Sequence, residues 1–116
     1  MNKEVNFEIA KLLQEKGFDE PSDYYYNEDG DLFLHITFTE KEDDWTIKAP
    51  TIAEVVMWLY EKHGIWIYVQ RDWDVGKCLG FEGIIDGNDG IINTKTLNSP
   101  TEAYEVAIKH VLENLI

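Results

Sequence analysis

Three histidines (His35, His63, His110), one cysteine (Cys78) and a large surplus of carboxylates are the residues of this 116-residue sequence whose types can do chemistry. A zinc centre takes three or four His, Cys or carboxylate ligands, commonly with two of them a helical turn or a few loop residues apart. No two histidines stand at such a spacing. His63 falls in the last turn of an expected helix, where a partly protonated imidazole suits the dipole. His110 lies beside the buried stripe of a later helix, and His35 belongs to a strand. Cys78 has Lys77 as its only positive sequence neighbour, which falls short of the electropositive setting and adjacent base that a nucleophilic thiolate requires. It reads as an inert strand cysteine.

Paired carboxylates occur at Asp43-Asp44 and Asp72/Asp74, in loops rich in other acids, where nothing would hold one protonated as a general acid. The run Asp86-Gly87-Asn88-Asp89-Gly90 has the composition of a calcium loop. An EF-hand loop beginning at Asp86 would need glycine at its sixth position and glutamate at its twelfth, and these are Ile91 and Leu97. That run and Asn27-Glu28-Asp29-Gly30-Asp31 therefore read as turns. The sequence contains no G-x-S-x-G, no phosphate-binding glycine loop and no H-E-x-x-H. The expectation is no catalytic residue, no metal and no cofactor.

The charge is one-sided. Ten Lys and Arg face 23 Asp and Glu, for a net charge of −13. Residues 19–50 hold ten of the acids against Lys41 and Lys48 alone, and so carry −8 of that total. Binding to nucleic-acid phosphates or to anionic membranes requires a basic surface, so direct binding to either is not expected. No apolar run approaches the roughly 20 residues that cross a bilayer, and charges interrupt the N-terminal apolar positions. A single cysteine allows no internal disulfide. A cytoplasmic protein is expected.

The elements that must position these residues follow from periodicity. At this length one domain, residues 1–116, with one core is expected. Val5, Ile9, Leu12 and Leu13 share one helical face, and Gly17 suits a left-handed cap. Tyr24 to Asn27 and Leu32 to Thr39 read as strands joined at Asp29-Gly30, a two-residue hairpin turn. Residues 40–50 read as a charged loop or a short irregular strand. Pro50-Thr51 opens a second helix with Ile52, Val55, Val56, Leu59 and His63 on one face, ending at Gly64. It runs into the alternating strand Ile65 to Gln70, followed by the short loop Arg71 to Lys77.

Two further strands, Cys78 to Asp86 and Gly90 to Thr96, flank a hairpin turn, and Gly80 and Gly83 suggest a bulge. Ser99-Pro100 caps a third helix burying Tyr104, Ala107, Ile108, Val111 and Leu115. The fold class is thus α+β in the order α-β-β-α-β-β-β-α. One antiparallel sheet of about five strands, with the helices mainly on one face, is the simplest arrangement.

A two-residue turn at Asp29-Gly30 would set Tyr26 opposite Phe33 and Tyr24 opposite His35. One face of the sheet would then collect Tyr24, Tyr26, Phe33 and His35, joined by Trp66 and Tyr68 of the third strand. A solvated face more often carries Thr, Lys and Glu, so this face reads as a surface to be covered. The candidate covers are a partner subunit, the chain's own residues 40–50 with Trp45, or a ligand. Met57 and Trp58, on either side of the second helix's buried stripe, form a further candidate contact surface.

Three segments carry a resemblance: EIAKLLQEKGFDEPSDYYYNEDGDL, WTIKAPTIAEVVMWLYEKHGIWI and SPTEAYEVAIKHVLENLI. Together they resemble a group of small uncharacterised proteins of gut bacteria and their phages or mobile elements, with A-P-T-x-x-E-V-x-x-W-L-x-E-K-H-G-I the most specific part. The resemblance implies a phage-related context and transfers no catalytic residue. The expected function is a non-enzymatic protein-interaction or accessory module, homo-oligomeric (a dimer) or bound to another protein. One alternative is an acidic inhibitor that mimics nucleic acid before a host defence protein; another is a small enzyme with an unrecognised site.

Overall fold

The computed structural model describes residues 3–34 and 46–116. Helix α1 spans Phe7–Glu15, and its first turn is capped by Asn6, whose Oδ1 accepts from the Ile9 amide at 2.9 Å. Gly17 takes the positive φ of 81° that the helix exit requires. Helix α2, Ile52–His63, begins with a reciprocal cap: the Glu54 amide donates to Thr51 Oγ1, and the Thr51 amide donates to Glu54 Oε1. It ends at Gly64 with φ 68°. Helix α3, Pro100–Asn114, starts from Ser99, whose hydroxyl accepts from the Glu102 amide. All three helix starts thus follow from side-chain oxygens that satisfy otherwise orphaned amides.

The strands are β1 (Tyr24–Tyr26), β2 (Leu32–Leu34), β3 (Ile47–Lys48), β4 (Trp66–Asp74), β5 (Lys77–Gly87) and β6 (Gly90–Asn93). Among the described residues they form two antiparallel three-stranded sheets, ordered β2-β1-β3 and β4-β5-β6. The chain is therefore α+β with three helices, as the sequence indicates, but the expected single sheet of about five strands is corrected to two small ones. The reason is local. Ile47 and Lys48 form the extra strand β3 on the far side of β1, opposite Tyr26 and Tyr25, and so occupy the edge through which β1 could have continued into a larger sheet.

One core joins these parts. Val5, Ile9 and Leu13 of the first segment meet Ile52, Val55 and Leu59 of α2, Ile67 and Ile85 of the second sheet, and Ile108, Val111 and Leu112 of α3. The helix α3 lies close on β5 because position 83 is glycine: a Cβ there would stand 2.8 Å from the Ala103 carbonyl oxygen and 3.0 Å from Ala107 Cβ. Leu115, expected in the buried stripe of α3, is 40% exposed, and Leu112 is buried in its place.

Candidate functional site

The first hairpin has a different register from the one expected. Tyr24 pairs with Leu34, Tyr25 with Phe33 and Tyr26 with Leu32. Residues 27–31 form the loop, because Asn27 organises it: its Oδ1 accepts from the amides of Asp29 (3.0 Å) and Asp31 (2.9 Å), and its carbonyl accepts from Gly30. This side-chain turn displaces the pairing by one residue, and a shift of one residue exchanges the two faces. Tyr24 and Tyr26 therefore share a face with Leu34 and Leu32, while Tyr25 shares the other with Phe33.

Tyr26 is consequently buried, against the expectation that it lies on an open aromatic surface. Its hydroxyl donates to the Val5 carbonyl at 2.7 Å, and its ring packs on Phe7 at 5.3 Å. Burial first, and then the negative charges of Glu4 and Glu105, hold its phenol above the ordinary value of 10.0. Tyr24 is half-buried and Phe33 is exposed. His35 and Trp45 lie outside the described residues. Trp66 and Tyr68 are carried by the second sheet, so the structure does not gather the aromatic candidates on one face.

Trp58 is also displaced from its expected place. It is 3% exposed, with its ring edge-on to Phe18 at 5.3 Å and to His63 at 5.1 Å, and its Nε1 donates to Asp19 Oδ1 at 3.2 Å. The buried stripe of α2 is wider than the periodicity indicates, because the segment after α1 closes over that side. Asp19 is held below its usual carboxylate range, chiefly by this hydrogen bond and then by Lys62 3.7 Å away. Met57 alone of the two remains open to solvent, at 46% exposure.

Among the described residues the second sheet carries the most exposed apolar groups. On β4, Ile67 faces the core, while Trp66 and Tyr68 alternate to the outside. Trp66 leans edge-on to Tyr60 of α2 at 5.5 Å. Beyond Gln70, where a loop from Arg71 to Lys77 was expected, the strands continue as a hairpin arm: Asp72 pairs with Gly80, Trp73 with Cys78 and Asp74 with Lys77. The turn is only Val75-Gly76, with φ 47° and 76°. The expected bulge is present, with Leu79 as the extra residue between Cys78 and Gly80.

From Arg71 to Leu79 every residue except Asp72 is exposed. Trp73 at 55%, Val75 at 98% and Leu79 at 52% are apolar groups held in solvent on a paired-strand scaffold. Sequence reasoning missed them. The alternation that marks Ile65 to Gln70 continues through Trp73, but Val-Gly lacks the Asn-Gly or Asp-Gly composition that announces a two-residue turn.

Two charged side chains of the arm, Arg71 and Asp72, are engaged within the chain. Arg71 lies over the Trp73 ring, 5.8 Å from its centroid, and Asp72 Oδ2 accepts from Thr96 Oγ1 at 2.5 Å. At its root, Gln70 Nε2 donates to Glu82 Oε1 at 2.6 Å.

Cys78 is exposed on the arm, with a 3.6 Å contact to the Gly80 carbonyl. His63 lines an open concavity of about 460 Å³ between the β5–β6 turn and the end of α3, whose walls are Ile65, Ile85, Ile92 and Leu115. His110 lies beside Asn114 at 3.3 Å. Cys78, His63 and His110 thus fall in separate places, and among the described residues no group of three His, Cys, Asp or Glu is arranged to hold a metal ion. No described helix is long and apolar enough to cross a membrane. The remaining shifted groups are the surface pair Glu8 and Lys109, 2.8 Å apart, in which the ammonium lowers the carboxyl and the carboxylate raises the amine. No protein-family model, curated protein or solved structure matches the chain.

Proposed function

We propose that the protein is a non-enzymatic protein-interaction module, homo-oligomeric, that engages through its second sheet and the arm extending from it. The observation carrying this reading is the placement of Trp73, Val75 and Leu79, three apolar side chains at least half exposed on one projecting hairpin. Leaving such groups in water forgoes burial worth about 1.5–3 kcal/mol for a side chain of Leu size. Isolated exposed leucines are ordinary; a group of large apolar side chains on one paired-strand projection marks a contact surface. The resemblance of three segments to small proteins of gut bacteria and their phages is in keeping with an accessory role.

Strand pairing also lowers the entropic cost of binding, since the arm's backbone is already hydrogen-bonded before contact. Trp contributes large area with few torsions, which is why it is enriched where interfaces are tight. Size-exclusion chromatography with light scattering tests the reading. The wild-type protein at high micromolar concentration is expected above the 13.5 kDa of one chain, and the Trp73→Ser/Leu79→Ser variant nearer to it. A wild-type protein that stays at 13.5 kDa would overturn it.

A further inference from the structure

The outer edge of β4 has hydrogen-bonding groups that no other described strand takes up. Strand order places β4 at the end of its sheet, paired with β5 alone among the described residues. Which of its backbone groups point outward follows from β5. Phe81 exchanges two hydrogen bonds with Leu97, its amide donating at 2.8 Å and its carbonyl accepting at 2.7 Å, so both groups turn away from β4. Arg71, opposite Phe81, is therefore in a non-hydrogen-bonded pair, and its own amide and carbonyl face the free side. Gly83, whose carbonyl accepts from Thr94, gives the same result for Val69 opposite it.

Ile67 is buried, so the accessible edge begins at Val69. From there it presents the amides and carbonyls of Val69, Arg71 and Trp73.

Edges of this kind are usually blunted by proline, by charged side chains, lysine above all, or by a bulge in the edge strand itself. The sequence of β4, WIYVQRDWD, has no proline or lysine, and the bulge of this hairpin lies on β5. Of its three charges, Arg71 is drawn onto Trp73 and Asp72 toward Thr96, which leaves Asp74 at the outer end of the strand.

We infer that β4 pairs edge to edge, antiparallel, with β4 of a second copy about a two-fold axis at Gln70, joining two three-stranded sheets into one of six strands. The inference rests on the interaction-module reading above and specifies its geometry. The register is selected by charge. A two-fold at Gln70 sets Val69 against Arg71 of the second copy, so that two outward amides and two outward carbonyls on each side form four hydrogen bonds. It also sets Tyr68 opposite Asp72 of the second copy, where the paired stretch ends. Moving the axis to Arg71 or Asp72 would place like charges directly opposite, which is destabilising. The axis at Gln70 avoids this. An isologous contact of this kind closes at two copies, so the edge is consumed and no fibre propagates.

The experiment is disulfide trapping together with light scattering. In a Cys78→Ser background, Gln70→Cys places two thiols across the axis in a non-hydrogen-bonded pair, with Cα atoms about 4.5 Å apart. That spacing falls within the range a disulfide spans. Mild oxidation is expected to convert most of the Gln70→Cys protein to a covalent dimer at least tenfold faster than the Asp72→Cys control. In the inferred register the Asp72 positions lie four residues out of step.

Arg71→Pro removes one outward amide while leaving the bonds between β4 and β5 intact, and is expected to weaken the dimer at least tenfold with unchanged circular dichroism. A dimer that persists in Arg71→Pro and does not trap through Gln70→Cys overturns the edge pairing while leaving the interaction module standing. A wild-type protein that is monomeric throughout overturns both.

Discussion

Trp58 Nε1 donates to Asp19 Oδ1 across 39 residues of chain, and this bond ties the turn after α1 to the middle of α2. Its energetic sign is set by the carboxylate. Asp19 has its carboxyl below the ordinary value of 3.8 in the folded chain, so its contribution to stability is complete above 3.8 and is lost as pH falls through the lower folded value. Urea unfolding at neutral pH and near pH 3 should show a somewhat larger loss for the wild type than for Asp19→Asn. Equal acid slopes for the two proteins would count against the bond as a titrating contact.

Trp58 is also where the sequence was partly legible. Helix α2 can be read from Thr51, Glu54 and Gly64 because caps are local chemistry, and its stripe of Ile52, Val55, Val56 and Leu59 because periodicity is local too. The burial of Trp58 depends on Phe18 and Asp19, which are remote in sequence. The same division holds for the hairpins. Gly30, with φ 82°, was legible as a turn residue, whereas the register depended on Asn27 folding its side chain over the loop. The arm was hidden by Val75, a residue type that ordinarily argues against a turn. Cys78, His63 and His110 lie as far apart in the structure as their spacing indicates.

Tyr26→Phe isolates one buried hydrogen bond. The phenol oxygen donates to the carbonyl of Val5, a residue with no exposure, so its removal leaves an acceptor unpaired inside the protein. That costs about 1–3 kcal/mol, to be read from the urea midpoint at constant slope.

The same tyrosine gives an alkaline test. Its phenol is held above 10.0, so the folded chain retains the proton that the unfolded chain releases, and stability falls as pH rises beyond 10 through the folded value. Ultraviolet titration of the folded wild type, read as the difference from folded Tyr26→Phe, should isolate a phenol that ionises above 10.0.

Gly83→Ala tests the approach of α3 to β5. The added Cβ would lie 2.8 Å from a helix carbonyl and 3.0 Å from a helix side chain, neither of which is the far end of a flexible group. The helix must shift, at a cost of about 1–3 kcal/mol. Gly87→Ala has open space around its Cβ, the nearest atom being Ile65 Cγ1 at 3.8 Å, and serves as the control in a neighbouring part of the same strand. Thermal unfolding of the two variants should separate them clearly, and similar midpoints would argue against tight packing at position 83.

Val75 holds a β-branched side chain at φ 47°, a region that disfavours such residues by roughly 1–2 kcal/mol relative to glycine or asparagine. The turn it forms with Gly76 has positive φ at both central positions, the geometry for which Asn-Gly is the preferred sequence. Val75→Asn should therefore stabilise the arm. Because the arm stands outside the core, the gain belongs to local opening of the hairpin and only weakly to global unfolding. Amide exchange on β4 and β5 near the tip should slow about fivefold, the equivalent of about 1 kcal/mol, with little change in the melting temperature. Since Val75 is 98% exposed, its retention in a strained conformation fits a side chain kept for contact. Val75→Asn should then weaken self-association even as it steadies the arm. A variant that gains both exchange protection and undiminished dimerisation would show that Val75 serves neither the turn nor the interface.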